Sequence, residues 1–431
     1  MSTKGMPSFY ADEIMSKYRF VTMDDTKEIY QYEKGIYVPK GKITIEKECE
    51  KIIPQCGTHV VNEVIDKIKR RTFKSRSEFN KDFSKLVLEN GVLDLDTLKL
   101  SDFDPTFLTT IKLPVTYNPH ALCPKFVKFL KDCLEPRGIV TVVEEIANVL
   151  NANTKNFEIS ALWIGDGANG KSTLMKIIEG IFGSENCSSV SIHDMQYRRF
   201  AIAEMYGKLI NKHADISSKE LNNLGIFKQL VSGDTIQAER KNQNPFNFRC
   251  FAKHFFSANE MPVIKDDSDG TYRRIEVTNF PNQFISGVNC IKDLDKIILE
   301  EEKSGIFNLL LQNYKTLRHN NGFRYKQPIG EVRAQIKRES DRLREFIDTC
   351  IIKISNSYIP KSELYPFYQK WCENNGYEIL SKPQLGARLP TYGIGENSMK
   401  MNGKTVRVWT DIQLNGNNGW VKKYIQDNYG I

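Results

Sequence analysis

The sequence predicts an α/β fold with a mainly parallel sheet, preceded by a mixed amino-terminal region and followed by a small basic module. Between about residues 158 and 283, short apolar runs alternate with loops and helix-spaced runs, which is typical of a parallel sheet covered by helices. One apolar run leads straight into a glycine-rich loop that a helical pattern follows, an arrangement typical of phosphate binding. We expect three domains, over 1–150, 151–335 and 336–431, with a linker over 328–339 before the last of them.

The composition indicates a globular protein of a reducing compartment. The 431 residues are 40% hydrophobic and 26% charged, which excludes disorder as the main state. No apolar stretch approaches the ~20 residues that span a bilayer, and the amino terminus lacks the features of a secretory signal. The nine cysteines are scattered without a C-x-x-C pair, as expected for free thiols. We therefore expect a soluble intracellular protein without a membrane partner.

The net charge is modestly positive, at +8. Residues 351–431 carry ten Lys and Arg against six acids, so half of the excess lies in the carboxy-terminal module. The total alone does not establish nucleic-acid binding, but its location draws attention to that module.

The first 150 residues are predicted to mix hairpins and helices. Apolar alternation around Lys34-Gly35 and around Asn90-Gly91 predicts two hairpins. Helical spacing predicts helices over 44–53, 123–136 and 140–151.

The glycine-rich loop has the pattern G-x-x-x-x-G-K-[ST], between the apolar run 157–164 and the helix-spaced run 174–182. Glycines let successive backbone N–H groups point at phosphate oxygens, and the helix that follows adds the positive end of its dipole. Lys171 would reach the β- and γ-phosphates and Ser172 would offer its hydroxyl to Mg²⁺. A chance match is the alternative. The predicted nucleotide-binding residues are Gly165, Asp166, Gly167, Ala168, Asn169, Gly170, Lys171, Ser172 and Thr173.

Further polar residues at strand ends would complete an ATPase. Asp215 ends the predicted strand 208–216, where it could bind Mg²⁺, and Asn259 ends the next apolar strand, where it could orient the attacking water. Arg273 and Arg274 precede the β-patterned run IEV, and arginine stabilises charge on a transferring phosphoryl group. The alternatives are an ordinary strand-end Asp, a turn Asn and a surface arginine pair.

A basic hairpin is predicted over 235–251, between the strands that end in Asp215 and Asn259. Arg240, Lys241 and Asn242 lie at its tip and could contact a phosphate backbone. A solvated edge hairpin is the alternative.

The carboxy-terminal module is predicted to contain helices over 340–354, 360–374 and 381–389, then a hairpin with Asn402-Gly403 at its turn. Three helices and a basic β-wing form a winged-helix plan. A wing that binds protein is the alternative. Five side chains could meet phosphates: Lys382, Arg388, Lys400, Lys404 and Arg407.

These motifs resemble those of superfamily 3 helicases, which are AAA+ P-loop ATPases, and within them the helicase part of the primase-helicases of phages, plasmids and large DNA viruses. The stretches that carry the resemblance follow the family's order: GDGANGKST, GKLINKHADI, LVSGDTIQAERK, HFFSANEMP and YRRIEV. Weaker similarity extends over residues 12–415, to the family's amino-terminal helicase-associated or oligomerisation region and to its carboxy-terminal winged helix.

The resemblance implies a role for each matching residue. Lys171 and Ser172 would contact nucleotide and Mg²⁺, and Asp215 would be the Walker B acid. Asn259 would be the polar sensor. Arg274 would be the arginine finger that reaches ATP on the next subunit, with Arg273 as the alternative, and Lys241 would contact DNA. The family forms hexameric rings that translocate 3'-to-5' on single-stranded DNA, so forked DNA is the expected substrate.

Two departures from the family pattern matter. Ala214 stands where many members have a second acid beside the Walker B residue, which leaves the general base unassigned. About 150 residues precede the loop, which is too few for a primase domain, so a separate primase or replication protein is expected as a partner. Rival functions are a non-unwinding ATPase loader or switch, an origin-binding protein and, more distantly, phosphoryl transfer to a small molecule.

Overall fold

The computed structural model of the protein describes residues 6–53, 57–152, 157–198, 200–216, 221–242, 244–285, 287–377, 379–401 and 403–429. The chain divides into two compact units, residues 1–333 and 334–431. Among the described helices, none has an apolar stretch long enough to cross a bilayer.

The chain begins with a small sheet and three helices. Strand order in the sheet is β3-β2-β1-β4, with β1 and β4 parallel. The predicted hairpin at Lys34-Gly35 is confirmed, and both residues have the positive φ, 47° and 95°, that a tight hairpin turn requires. The elements are α1 (Met6–Lys17), β1 (Phe20–Met23), β2 (Ile29–Glu33), β3 (Ile36–Val38), α2 (Gly41–Ile52), α3 (Thr58–Thr72) and β4 (Phe73–Lys74).

A second antiparallel sheet and two helices lead to the central sheet. The predicted hairpin at Asn90-Gly91 is confirmed, since β5 and β6 pair across it. Both predicted helices of this segment are confirmed, and each has proline in its first turn, where the missing N–H costs nothing. The elements are β5 (Lys85–Leu88), β6 (Gly91–Asp94), β7 (Leu100–Ser101), α4 (Pro124–Cys133) and α5 (Pro136–Ala147).

The predicted parallel sheet is confirmed by five strands in the order β14-β8-β13-β10-β9, and every neighbouring pair is parallel. β11 and β12 form a separate antiparallel hairpin between β10 and β13 in sequence. The strands are β8 (Ser160–Ile164), β9 (Cys187–Ser188), β10 (Ile210–His213), β11 (Thr235–Ala238), β12 (Phe246–Arg249), β13 (Lys253–Ala258) and β14 (Ile275–Asn279). The helices are α6 (Lys171–Phe182), α7 (Ile192–Tyr197), α8 (Gly225–Ser232), α9 (Asp269–Tyr272), α10 (Leu294–Asn320) and α11 (Ile329–Glu339).

One hydrophobic core joins the segments on both sides of the expected boundary at residue 150. It extends along the chain from Leu86 to Leu317 and includes α4, α5, β8, α6 and α10. Trp163 of β8 is fully buried in it, and its indole N–H donates to Oε2 of Glu145 on α5 over 2.9 Å. The predicted domain boundaries stay predictions.

The unit from Ala334 onward has its own core around Phe346, Phe367, Trp371 and Trp409. Its sheet has the order β15-β17-β16, and the hairpin predicted at Asn402-Gly403 is confirmed, although Asn402 lies outside the described residues. The elements are α12 (Arg342–Cys350), β15 (Ile351–Pro360), α13 (Lys361–Asn375), α14 (Lys382–Arg388), β16 (Gly395–Met401), β17 (Lys404–Leu414) and α15 (Gly419–Tyr429).

Two expectations for this part of the chain are wrong. The predicted helix 340–354 ends at Cys350, because the apolar residues from Ile351 pair with β17 as a strand. The expected linker 328–339 is largely the helix α11, in which Val332 and Ile336 lie one turn apart and are both buried. The winged-helix assignment itself stays a prediction.

Candidate nucleotide-binding site

The loop between β8 and α6 has a backbone that requires glycine at its two ends. Gly165 and Gly170 have φ of 157° and 91°. A Cβ at Gly165 would clash with the amide of Asn169 and with the carbonyl of Phe280, and a Cβ at Gly170 would lie 2.5 Å from Sγ of Cys133. The predicted strand and helix on either side are therefore joined by a tight turn that no larger residue fits.

Lys171, the first residue of α6, is only 4% exposed and points its amine back into the loop. The amine donates to the carbonyl oxygen of Gly165, to that of Asp166 over 3.3 Å and to Oδ1 of Asn169 over 3.0 Å. Burial lowers the pKa of Lys171, while the carboxylates of Asp215 and Asp166 act in the opposite direction. The loop thus holds a buried cation, and the negative charge of Asp215 stabilises the charged form of that cation.

Asn169 fixes the loop from within and is 3% exposed. Its Oδ1 accepts from Lys171, and its Nδ2 donates to the carbonyl of Phe280, directly after β14, over 3.3 Å. The backbone N–H of Phe284 donates to the carbonyl of Ala168 over 2.7 Å. The segment after β14 therefore supports the loop, which local sequence spacing does not show.

Asp215 and Asn259 lie at the same edge of the sheet as the loop. They follow β10 and β13, and the carboxyl ends of parallel strands meet at one edge. The backbone N–H of Gly165 donates to the carbonyl of Ala258 over 3.3 Å, which brings the loop beside the end of β13. The side chains of Asp215, Asn259 and Ser172 are exposed, so they remain accessible to a ligand.

The two predicted arginines lie at the opposite, amino edge of the sheet. Both arginines come directly before β14, which pairs in parallel with β8. The loop comes directly after β8, so the five residues of β8 separate the arginines from the loop by roughly 16 Å. Arg273 and Arg274 therefore lie at the opposite edge of the sheet from Lys171.

Arg274 is 7% exposed and its guanidinium is fully engaged. It donates to Oγ of Ser232 from Nε over 2.9 Å and to the carbonyl of Gly270 from Nη1 over 2.6 Å. Nη2 lies 3.0 Å from Oε2 of Glu158. Sequence reasoning missed Glu158 and Ser232, because no local pattern shows that the fold brings them to Arg274.

Arg273, by contrast, exposes 51% of its side chain, and its Nη2 lies 3.5 Å from Oε2 of Glu158. Of the two guanidiniums, Arg273 is exposed enough to reach another molecule, whereas Arg274 is bound within its own chain.

The predicted basic hairpin is confirmed as β11 and β12, in which Ala238 pairs with Phe246. Lys241 and Asn242 at its tip are exposed, and Asn242 has a φ of 61°. Arg240 is half-buried, with its guanidinium 5.5 Å from the centre of the Phe246 ring. Gln243 at the turn lies outside the described residues. Among the tip residues that the structure describes, Lys241 is the one free cation, and Arg240 helps to hold the base of the hairpin.

Arg76 from the amino-terminal region packs against the base of this hairpin. Its guanidinium lies 4.4 Å from the ring centre of Tyr206 and 4.9 Å from that of Phe246, and it forms an ion pair with Asp25 over 2.6 Å. Each of the two cation–π contacts is favourable by about 0.5–2 kcal/mol. No sequence signal predicted this contact, because Arg76 and Phe246 are far apart in the chain.

Comparison with protein families matches three separate stretches of the chain. The description "D5 N terminal like" matches residues 13–135, "Family of unknown function (DUF5906)" matches residues 163–274, and "Poxvirus D5 protein-like" matches residues 338–409. The middle stretch contains the loop, Asp215, the hairpin and both arginines.

Proteins of large DNA viruses are similar in sequence. The chain is 24% identical over 315 residues to "Putative helicase L207/L206" of Acanthamoeba polyphaga mimivirus, and 22% identical over 332 residues to "Putative primase C962R" of African swine fever virus. Each match covers 67% of this chain and 33% of the relative. The chain therefore spans about a third of the length of these curated relatives.

Two solved structures share the fold. The A form apo structure of the NrS-1 C terminal region has a TM-score of 0.52 at 13% identity, and an apo structure of the same region has a TM-score of 0.50 at 15% identity. Both likenesses cover 94% of this chain and 99% of the other chain.

Proposed function

We propose that this chain is the motor of an ATP-driven DNA helicase that acts in replication of a viral, phage or plasmid genome. The observation that carries the proposal is the meeting of the Lys171 loop, Asp215 and Asn259 at the carboxyl edge of a parallel sheet. Relatives named as helicases or primases of large DNA viruses support the replication role. Assignment to the superfamily 3 and AAA+ classes is part of the same proposal.

The residues at this edge fit ATP with Mg²⁺. Among the described residues, no group of three or more His, Cys, Asp or Glu side chains could hold a metal alone. Mg²⁺ typically takes one or two protein oxygens and completes its shell with phosphate oxygens and water. The Ser172 hydroxyl and the Asp215 carboxylate supply such oxygens, and the amine of Lys171 supplies the cation for the phosphates.

The separation between the two edges supports a ring. Arg273 is too far from the loop of its own subunit to contact a nucleotide there, so its role in hydrolysis requires the loop of a neighbouring subunit. A hexamer that moves 3'-to-5' along single-stranded DNA, with Lys241 on the strand, is our working form of the proposal. A separate primase or replication protein is the proposed partner.

The first test measures the rate of ATP hydrolysis in two variants of α6, in which Lys171→Ala is the test and Lys176→Ala is the control. Lys171→Ala removes the loop cation and should lower DNA-stimulated turnover by a factor of roughly 10³ or more. Lys176→Ala removes an exposed lysine one turn further along α6, with only a 3.9 Å ion pair to Asp295, and should keep normal turnover. Equal turnover in both variants would mean that the loop does not act on phosphate.

A further inference from the structure

A large cavity lies away from the loop and is assigned no role above. It has a volume of about 770 Å³ and opens between residues 75–83 of the amino-terminal region and residues 247–253. Lys253 in its wall is the first residue of β13, so this basic cavity lies at the amino edge of the sheet, opposite Asn259. It is therefore separate from the proposed ATP site.

Cations outnumber acids in the lining of the basic cavity. Four cationic side chains, Arg76, Lys81, Arg249 and Lys253, face two carboxylates, Asp24 and Asp25. Arg76 pairs with Asp25 over 2.6 Å, so the remaining balance is positive.

Lys253 is the cation that most needs a partner. In the described part of the chain, no carboxylate or hydrogen-bond acceptor meets its amine, and the Cys250 thiol is the one group nearby that favours its charged form. Burial lowers the pKa of Lys253 to about 8, so the amine is still mostly charged at neutral pH. Lys253 is partly exposed in the cavity wall, so its amine is accessible, and an anion bound beside this partly desolvated cation would offset the cost of its burial.

Aromatic rings give the basic cavity a second kind of contact. Phe83 and Phe251 line it and pack edge to face with their centres 4.9 Å apart, and both are partly exposed. Tyr206 and Phe248 line it as well. Cations beside accessible aromatic rings are the combination that binds the phosphate and the base of an unpaired nucleotide.

We propose that the basic cavity binds a nucleotide unit, with the phosphate at Lys253 and Arg249 and the base against the Phe83–Phe251 pair. The unit belongs either to a single strand of DNA or to a free nucleotide, which share this chemistry. The proposal does not depend on ATP hydrolysis at the Lys171 loop.

Binding measurements on the full chain distinguish a DNA strand from a free nucleotide as the ligand. The first arm titrates a fluorescent oligothymidylate without ATP and follows its anisotropy. The second arm titrates a fluorescent nucleotide in the Lys171→Ala background, which removes the proposed ATP site. Lys253→Met and Arg249→Gln are the test variants, and Lys315→Met on the exposed face of α10 removes the same charge outside the cavity lining.

We expect Lys253→Met to weaken one probe about tenfold, as for loss of a hydrogen bond to a charged group, while Lys315→Met binds like wild type. If Lys253→Met weakens binding of the oligothymidylate and lowers the slope of log affinity against log salt by roughly 0.7, the ligand is a DNA strand. If Lys253→Met weakens binding of the fluorescent nucleotide alone, the ligand is a free nucleotide. Wild-type binding of both probes by Lys253→Met and Arg249→Gln would overturn the proposal.

Protection from acylation gives a readout independent of affinity. An amine whose pKa is lowered to about 8 should react readily at neutral pH, and the bound probe should protect Lys253, but not the exposed Lys315, in peptide mass spectra. Acylation of Lys253 that the saturating probe leaves unchanged would contradict binding at this cavity.

Discussion

At the scale of single residues, Arg273 and Arg274 have different surroundings although they are neighbours. The sequence predicts Arg274 as the arginine finger and Arg273 as its alternative. The buried bonds of Arg274 to Ser232, Gly270 and Glu158 favour a structural role for it, and they favour Arg273 as the finger. Local sequence could not separate the two, because Glu158 and Ser232 reach Arg274 only through the fold.

The two arginine variants should therefore fail in different ways. Arg274→Ala leaves buried polar groups unpaired and should lower the free energy of unfolding by roughly 2–3 kcal/mol, measured by urea unfolding. Arg273→Ala should change it by less than about 0.5 kcal/mol but reduce ATP turnover by a factor of roughly 10³. Mixtures of Arg273→Ala with wild type should lose more activity than the mutant fraction alone explains. The reverse pattern, with Arg273→Ala unstable and Arg274→Ala stable but inactive, would restore Arg274 as the finger.

Glu276 of β14 makes stability depend on pH. It is 4% exposed, and burial raises its pKa to about 7. Since the folded protein holds this proton more tightly than the unfolded chain, stability is greatest below the unfolded pKa and is lost as the pH rises through about 7.

Glu276→Gln should remove the contribution of this carboxyl. Between pH 5 and pH 7.5 we expect Glu276→Gln to lose up to about 3 kcal/mol less unfolding free energy than wild type, while the buried Glu145, whose pKa burial also raises, contributes in both proteins. Urea unfolding at both pH values measures this, with the exposed Glu300→Gln as the control that keeps the wild-type slope. A slope unchanged in Glu276→Gln would assign the effect elsewhere.

At the scale of elements, the hairpin of β11 and β12 is the proposed contact with DNA. Lys241→Ala should weaken binding to single-stranded DNA and reduce the slope of log affinity against log salt by roughly 0.7, because one phosphate contact is lost. Anisotropy titrations over a salt series measure both quantities. Lys99→Ala, an exposed lysine in the turn before β7, is the control. Equal slopes for both variants would remove the hairpin from DNA binding.

Elements with strong local signals could be predicted from the sequence. β8 and α6 carry a buried apolar run and a helix-spaced run, and the hairpins at Lys34-Gly35 and Asn90-Gly91 carry the residues that tight turns need. β15 and α11 were missed for a common reason. The pairing of Ile351 with Leu414 and the burial of Val332 are tertiary effects that local spacing does not contain.

At the scale of the whole molecule, candidate groups lie at both edges of one sheet. The loop pattern predicts Lys171, the strand ends predict Asp215 and Asn259, and the structure brings all three to the carboxyl edge. Contacts between distant segments, such as Arg76 with Phe246 and the placement of Lys253, were beyond sequence reasoning. One chain therefore presents the loop at one edge of its sheet and the exposed Arg273 at the other, which is the arrangement that the proposed ring needs.

Unwinding of forked DNA tests the proposed function most directly. The measurement is strand displacement with ATP and Mg²⁺ on forks that carry only a 3' or only a 5' single-stranded tail, for wild type, Lys171→Ala and Lys176→Ala. We expect wild type and Lys176→Ala to displace the strand when the 3' tail is present, and Lys171→Ala to displace none. Hydrolysis of ATP by wild type without displacement from either fork would contradict a helicase and would favour an ATPase that loads or remodels another replication protein.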